Sequence, residues 1–433
     1  MIDEGELERR IALAAESFLH WRDESFRRRA ELMQAAADEL ERNRDGYATT
    51  ITREMGKTIV SARAEVEKCV WVCRYYADGA ERFLSDEALE TGDRVIYQPL
   101  GTVLAVMPWN FPFWQLFRFA APGLMAGNVA LLKHASNVPR CALDIEQVFT
   151  RAGFPKGVFQ TLLIESKRVA TVLDDSRIAA ATLTGSTDAG RAVASRAGHN
   201  IKKTVLELGG SDPFIVMPSA EIESALETAV TARMINNGQS CIAAKRFIIH
   251  RDIAERFIPA FLERMGQIRL GDPMDETVGL GPLATDAIRE EVADQVRRSV
   301  DAGARLLTGG YVPTDRPGSF YPATVLTDIP AGCPARNEEI FGPVASIFVI
   351  ADIDEAIELA NETEFGLGSS VWTHDESERS RFVREIAAGA VFVNRMVASD
   401  PRIPFGGIKI SGYGRELAMQ GIREFVNVKT VVG

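Results

Sequence analysis

The chain is poor in cysteine, in histidine and in long apolar runs. Five cysteines, Cys69, Cys73, Cys141, Cys241 and Cys333, are scattered over 433 residues. An odd number at irregular spacing argues against a disulfide framework and makes the reducing cytoplasm the expected compartment. The histidines form no cluster, and neither HExxH nor CxxC occurs, so no metal is expected. Cys69 and Cys73 share a helical face but have no further ligand nearby, so they read as core packing. No stretch has the apolar length of a membrane span, and the charged N-terminus has no signal-like apolar segment. Positive charge is also in deficit, with 49 Lys and Arg against 60 Asp and Glu. The net charge of −11 argues against nucleic acid or an anionic membrane as partner, because both need a basic footprint.

What remains is ordinary globular composition, 46% hydrophobic and 25% charged, in a chain long enough for two or three domains. Residues 1–84 read as helices: Leu32, Ala36 and Leu40 repeat at helical spacing, as do Val66, Cys69, Val70 and Cys73. From residue 93 short apolar runs (102–107, 128–133, 158–164, 179–185, 204–210) alternate with segments long enough for crossover helices (115–126, 139–152, 187–197). That rhythm predicts parallel βαβ units in a doubly wound α/β sheet, with ligands beyond the carboxyl ends of the strands. A second series follows: a helix over 220–237, strands at 246–250, 344–350, 369–373 and 390–394, and helices near 353–361 and 376–387. It reads as a second α/β domain beginning near Gly209–Gly210. The Pro- and Gly-rich stretch 308–322 reads as a surface excursion.

Several residues could carry chemistry, each a weak signal alone. Cys241 in NNGQSC is a possible nucleophile if it has thiolate character and access to substrate. Glu207 ends an apolar strand, where burial would raise its pKa and suit it to general-base work; a paired structural carboxylate is the plainer alternative. Asn110 sits in a stiff aromatic turn and could donate to an oxyanion. Lys133 closes an apolar strand, and Gly185 and Ser186 enter a helix where a phosphate could be held; no GxGxxG or Walker loop is present. His134 beside Lys133 reads as structural.

Taken together and in order, PWNFP (108–112), LLKHAS (131–136), LTGSTDAGR (183–191), LELGG (206–210), NNGQSC (236–241), EEIFGP (338–343) and PFGGIKISGYGRE (404–416) resemble the motifs of the aldehyde dehydrogenase superfamily. The likeness runs from about residue 17 to the C-terminus. WNFPFWQLFRFA, KHAS and MVASDPRIPFGGIK are further similar to the shorter NAD(P)-dependent succinate-semialdehyde dehydrogenases. The resemblance implies a cofactor domain (1–84 and 101–208), a catalytic domain (209–412) and a small β oligomerisation arm (85–100 and 413–433), hence a homodimer or homotetramer. It implies that Cys241 attacks the aldehyde, that the Asn110 amide and the Cys241 N–H hold the oxyanion, and that Glu207 activates the hydrolytic water. It places Trp109, Lys133, Ser136, Gly185, Ser186, Glu339 and Phe341 at the cofactor, and Trp114, Arg118, Ser399 and Arg402 at the substrate. NADP is expected over NAD, because Ser136 stands where NAD-preferring relatives carry a Glu that would repel a 2′-phosphate.

Two departures accompany the resemblance. Family chains ordinarily begin further upstream, with an early strand pair. In the longer succinate-semialdehyde enzymes an Arg precedes the nucleophile by six positions, where this chain has Ile235; their other Arg is matched by Arg118. A CoA-acylating or acyl-phosphate reductase on the same scaffold would not need a carboxylate at Glu207, so that residue favours water as the acyl acceptor. General aliphatic or aromatic aldehydes are the alternative substrates.

Overall fold

The computed structural model describes residues 1–433. Its first four helices are Glu4–Trp21, Phe26–Arg42, Arg44–Met55 and Ile59–Phe83. Asp3, Ser25 and Thr58 cap three of them by accepting from the N–H three residues on. Leu32, Ala36 and Leu40 form a buried stripe, and Cys69 and Cys73 are buried in the same core.

These helices pack beside a six-stranded sheet. Its order is Gly412–Tyr413, Lys203–Glu207, Ile178–Thr184, Thr102–Met107, Val129–His134 and Phe159–Thr161. Every pairing is parallel except that of Gly412–Tyr413. The central strand has later strands on both sides, so the winding reverses there and a crevice opens beyond the carboxyl ends. Trp109 and Asn110, Lys133, Gly185 and Ser186, and Glu207 follow or close four adjacent strands and gather at that end.

The chain passes to a second sheet between Glu207 and Pro213. That sheet orders Arg305–Thr308, Thr324–Thr327, Val344–Ile350, Arg246–His250, Pro213–Val216, Gly368–Trp372 and Ala390–Val393. Only the first pair is antiparallel. Alternation decides which core each residue enters: Ile215 and Ile248 face one buried cluster, Phe214, Val216, Phe247 and Ile249 the other. Pro213–Val216 and the helices Arg251–Gly266 and Asp286–Asp301 have no counterpart in the sequence reading. The stretch 308–322 joins the antiparallel edge pair.

A third sheet pairs Arg94–Pro99 with Glu87–Ala88 on one side and Val426–Val431 on the other, all antiparallel. The expected arm over 413–433 is therefore divided. Gly412–Tyr413 extends the first sheet, and the helix Ala418–Arg423 packs on Ile59–Phe83 and Trp114–Met125. Only Val426–Val431 joins the ribbon. No helix is long and apolar enough to cross a membrane.

Candidate active site

The helix Ile222–Met234 ends sooner than its apolar pattern suggests because Asn236 and Asn237 both take left-handed backbone, φ 59° each. Asn tolerates that region through local hydrogen bonds. Asn236 Nδ2 donates to the carbonyls of Asn110 (2.7 Å) and Gln239 (2.9 Å), and Asn237 Nδ2 to those of Gly56 and Pro282 (3.0 Å each). Gly238 follows at φ 75°, and a Cβ there would lie 2.4 Å from the Gly342 backbone. The EEIFGP segment thus presses directly on the cysteine loop. Lys245 Nζ closes the loop by donating to Ser240 O (2.9 Å) and Cys241 O (2.8 Å).

Cys241 is part-exposed at the tip of this loop, and its N–H has no acceptor within the protein. Burial of the sulfur pushes its thiol up to about 12, against the pull of Arg118 and Lys245. The resting nucleophile is therefore a neutral thiol.

The Asn110 turn is braced from three sides. Asn110 Nδ2 donates to Gln239 O at 3.1 Å, which leaves its second amide hydrogen free. His134 Nδ1 accepts from Ala135 N at 2.9 Å, so Nε2 carries the proton and donates to Pro112 O at 2.9 Å. Burial holds that imidazole neutral, its pKa down to about 4. Glu65 Oε1 accepts from Phe113 N (2.8 Å) and Trp114 N (3.0 Å), and its other oxygen pairs with the fully buried Lys57. His134 is thus structural, as read; the Lys57–Glu65 brace was invisible because its members lie far from the turn in sequence.

Two cavities meet at Cys241. One, of about 280 Å³, is lined by Trp109, Asn110, Gly185, Ser186, Glu339 and Phe341, among others. The other, of about 190 Å³, is lined by Trp114, Arg118, Ile235, Ser399, Phe405 and Lys68, among others. Cys241 and Gln115 line both. In the first cavity Trp109 meets Phe341 edge to face at 5.7 Å. Ser186 caps the helix Thr187–His199 through Ala189 N at 3.3 Å. Glu339 Oε1 accepts from Gly210 N at 3.1 Å and lies 3.2 Å from Lys245 Nζ, which leaves Oε2 uncommitted. Lys133 and Ser136 do not line this cavity; Lys133 lies near the end of the strand Val129–His134 and Ser136 just beyond it, and Lys133 Nζ donates to Ser166 Oγ at 3.1 Å and has no carboxylate partner.

In the second cavity the expected substrate residues part company. Ser399 Oγ accepts from Trp114 Nε1 (3.0 Å) and Lys68 Nζ (2.9 Å). Arg118 lines the wall beside a countercharge: its Nε lies 2.7 Å from Glu416 Oε2, its guanidinium covers Phe405 at 4.7 Å, and its buried Nε and Nη2 complete no hydrogen bond. Arg402 is outside. It is exposed and chelates Asp400 at 2.9 and 2.6 Å, so it does not belong to the cavity in which it was expected. The local Asp-x-Arg turn claims its charge.

Glu207 is buried, and neither carboxylate oxygen has a hydrogen-bond partner. Burial first, and then the neighbouring Glu416, hold its carboxyl well above the usual range. Glu416 is raised by burial in the same way, opposed by Arg118.

A doubly wound fold with a buried carboxyl and a cysteine shared between two cavities, matched along its length, defines an NAD(P)-dependent oxidoreductase acting on aldehydes. The chain belongs to the aldehyde dehydrogenase family, whose model matches residues 1–431. It is 57% identical over 432 residues to the Mycobacterium tuberculosis (strain ATCC 25618 / H37Rv) protein named succinate-semialdehyde dehydrogenase (NADP(+)) 1, covering 98% of this chain and 94% of that one. It is 54% identical over 429 residues to a probable succinate-semialdehyde dehydrogenase (NADP(+)) of Synechocystis, with the same coverage. The crystal structure of succinic semialdehyde dehydrogenase from Streptococcus pyogenes in complex with NADP+ superposes with a TM-score of 0.97 at 36% identity, covering 100% of this chain and 96% of that one.

Proposed function

We propose that this protein oxidises succinate semialdehyde, or a similar short carboxylated aldehyde, to the carboxylic acid with NADP+. The observation that carries the reading is the position of Cys241 at the meeting point of the two cavities, one bearing cationic side chains and the other suited to a nucleotide. The names of the relatives support the substrate and the cofactor.

The residues fit a nicotinamide dinucleotide. Glu339 keeps one carboxylate oxygen for ribose hydroxyls, Trp109 and Phe341 supply apolar walls, and Gly185 and Ser186 open a helix N-terminus. Lys133, lacking an acidic partner, and Ser136 suit a 2′-phosphate; NAD remains a working alternative. The bound cofactor supplies a hydride acceptor. The Cys241 thiol releases its proton to solvent as the sulfur bonds to the aldehyde carbon, the carbonyl π pair moves to oxygen as the thiohemiacetal oxyanion, and loss of hydride from that carbon leaves a thioester on the same sulfur. The free Cys241 N–H and the spare Asn110 amide hydrogen hold the oxyanion, each worth roughly 3–4 kcal/mol. Glu207, raised and unpartnered, takes the proton of the water that hydrolyses the thioester.

An assembly belongs to the same reading. The outer edge of Val426–Val431 is unpaired and Val428 is 60% exposed, which favours pairing with a second copy in a homodimer or homotetramer. Five free thiols fit a cytoplasmic setting. The test is NADPH formation with succinate semialdehyde, butanal and benzaldehyde, with and without CoA. A clear preference for the semialdehyde without CoA is expected; dependence on CoA would overturn the hydrolytic reading.

A further inference from the structure

We propose that Lys68 is the cation that receives the substrate's distal carboxylate and so sets the preference for a semialdehyde over an uncharged aldehyde of similar length. The inference rests on the carboxylated-aldehyde reading above and assigns its specificity to one side chain.

The helix Ile59–Phe83 presents Ser61, Ala64, Glu65 and Lys68 to the smaller cavity, at offsets of three, four and seven residues that share one helical face. The cavity has three charged lining residues: Glu65, Lys68 and Arg118. Two of them have a countercharge in contact. Glu65 is held by Lys57 and by the N–H groups of Phe113 and Trp114. Arg118 is balanced by Glu416. Ile235, on the cysteine loop, adds only apolar surface.

Lys68 alone has a charge with no countercharge in contact. Its Nζ donates to the neutral Ser399 Oγ at 2.9 Å and lies 4.4 Å from the Trp114 ring centroid. The nearby Asp400 is chelated by Arg402. An ammonium carries three donors, so hydrogen-bonding capacity remains after Ser399. Burial, and then the like charge of Arg118 across the cavity, bring its pKa down to about 8. A carboxylate entering from the Cys241 side would supply the countercharge, with the Ser399 hydroxyl beside the ammonium as a second donor.

The experiment compares the full-length protein with Lys68→Met and Lys68→Arg. Steady-state kinetics with NADP+ are measured for succinate semialdehyde and butanal, and succinate binding by titration calorimetry. Lys68→Met is expected to raise KM for the semialdehyde by roughly one to two orders of magnitude, the range of a charged hydrogen bond. It should weaken succinate binding in step and leave butanal kinetics nearly unchanged, and Lys68→Arg should restore most of the preference. A lysine that merely held Ser399 and Trp114 in place would move both substrates alike, and that result overturns the assignment. Unchanged succinate affinity overturns it as well. If the unmodified enzyme itself shows no preference for the semialdehyde, the substrate reading falls and this assignment with it. If the preference exists and survives in Lys68→Met, only the assignment falls.

Discussion

The Arg118 guanidinium lies 2.7 Å from the Glu416 carboxylate, and both side chains are almost wholly buried, at 2% and 4% exposure. A residue expected to wait for substrate is thereby tied into the protein's own charge balance. Arg118→Met would strand Glu416 as an unpaired buried carboxylate, at a cost of about 3–5 kcal/mol. The expected outcome is a lower Tm and weakened kinetics for every aldehyde. Adding Glu416→Gln should recover part of the Tm. A stable Arg118→Met protein with a defect confined to the semialdehyde would contradict this.

Cys241→Ala should abolish NADPH formation while NADP+ binding, followed by fluorescence, survives. Because the thiol is pushed up to about 12, iodoacetamide should label the free enzyme faster with each rise in pH up to 10, with no plateau. Labelling that levels off near neutrality would show a thiolate that burial does not predict.

Glu207→Gln should slow thioester hydrolysis far more than acylation, seen as a burst of NADPH followed by little turnover. The sign of the pH effect follows from the raised carboxyl. The basic form is scarce at low pH and grows as pH rises, so hydrolysis should accelerate with pH. Glu416→Gln removes the like charge that helps raise Glu207, so the rising limb should move to lower pH. A limb that stays put would remove Glu416 from the titration.

Ser136→Glu places a carboxylate beside a 2′-phosphate. At about 4 Å that repulsion runs from roughly 1 to 4 kcal/mol for each pair of unit charges. The ratio of kcat/KM for NADP+ over NAD+ should fall by one or more orders of magnitude. An unmoved ratio would place the discrimination elsewhere.

The sequence by itself determined the α/β class, the two alternating series and the set of motifs. Apolar period and turn chemistry are local properties, and the strands at 102–107, 129–134 and 178–184 could be read from them. Cys241, Glu207 and Asn110 were legible because each sits in a short motif at a strand end or tight turn. Only the tertiary structure decided which charges were free. Arg118 and Arg402 were both candidates in the chain, yet one faces Glu416, almost three hundred residues away, and the other is chelated by Asp400 two residues away. Lys68 carried no motif and lay on a helix that read as packing alone. Its role depends on what does not touch it. The absence of a countercharge in a buried cavity is set by the meeting of four distant segments, and no local pattern encodes it.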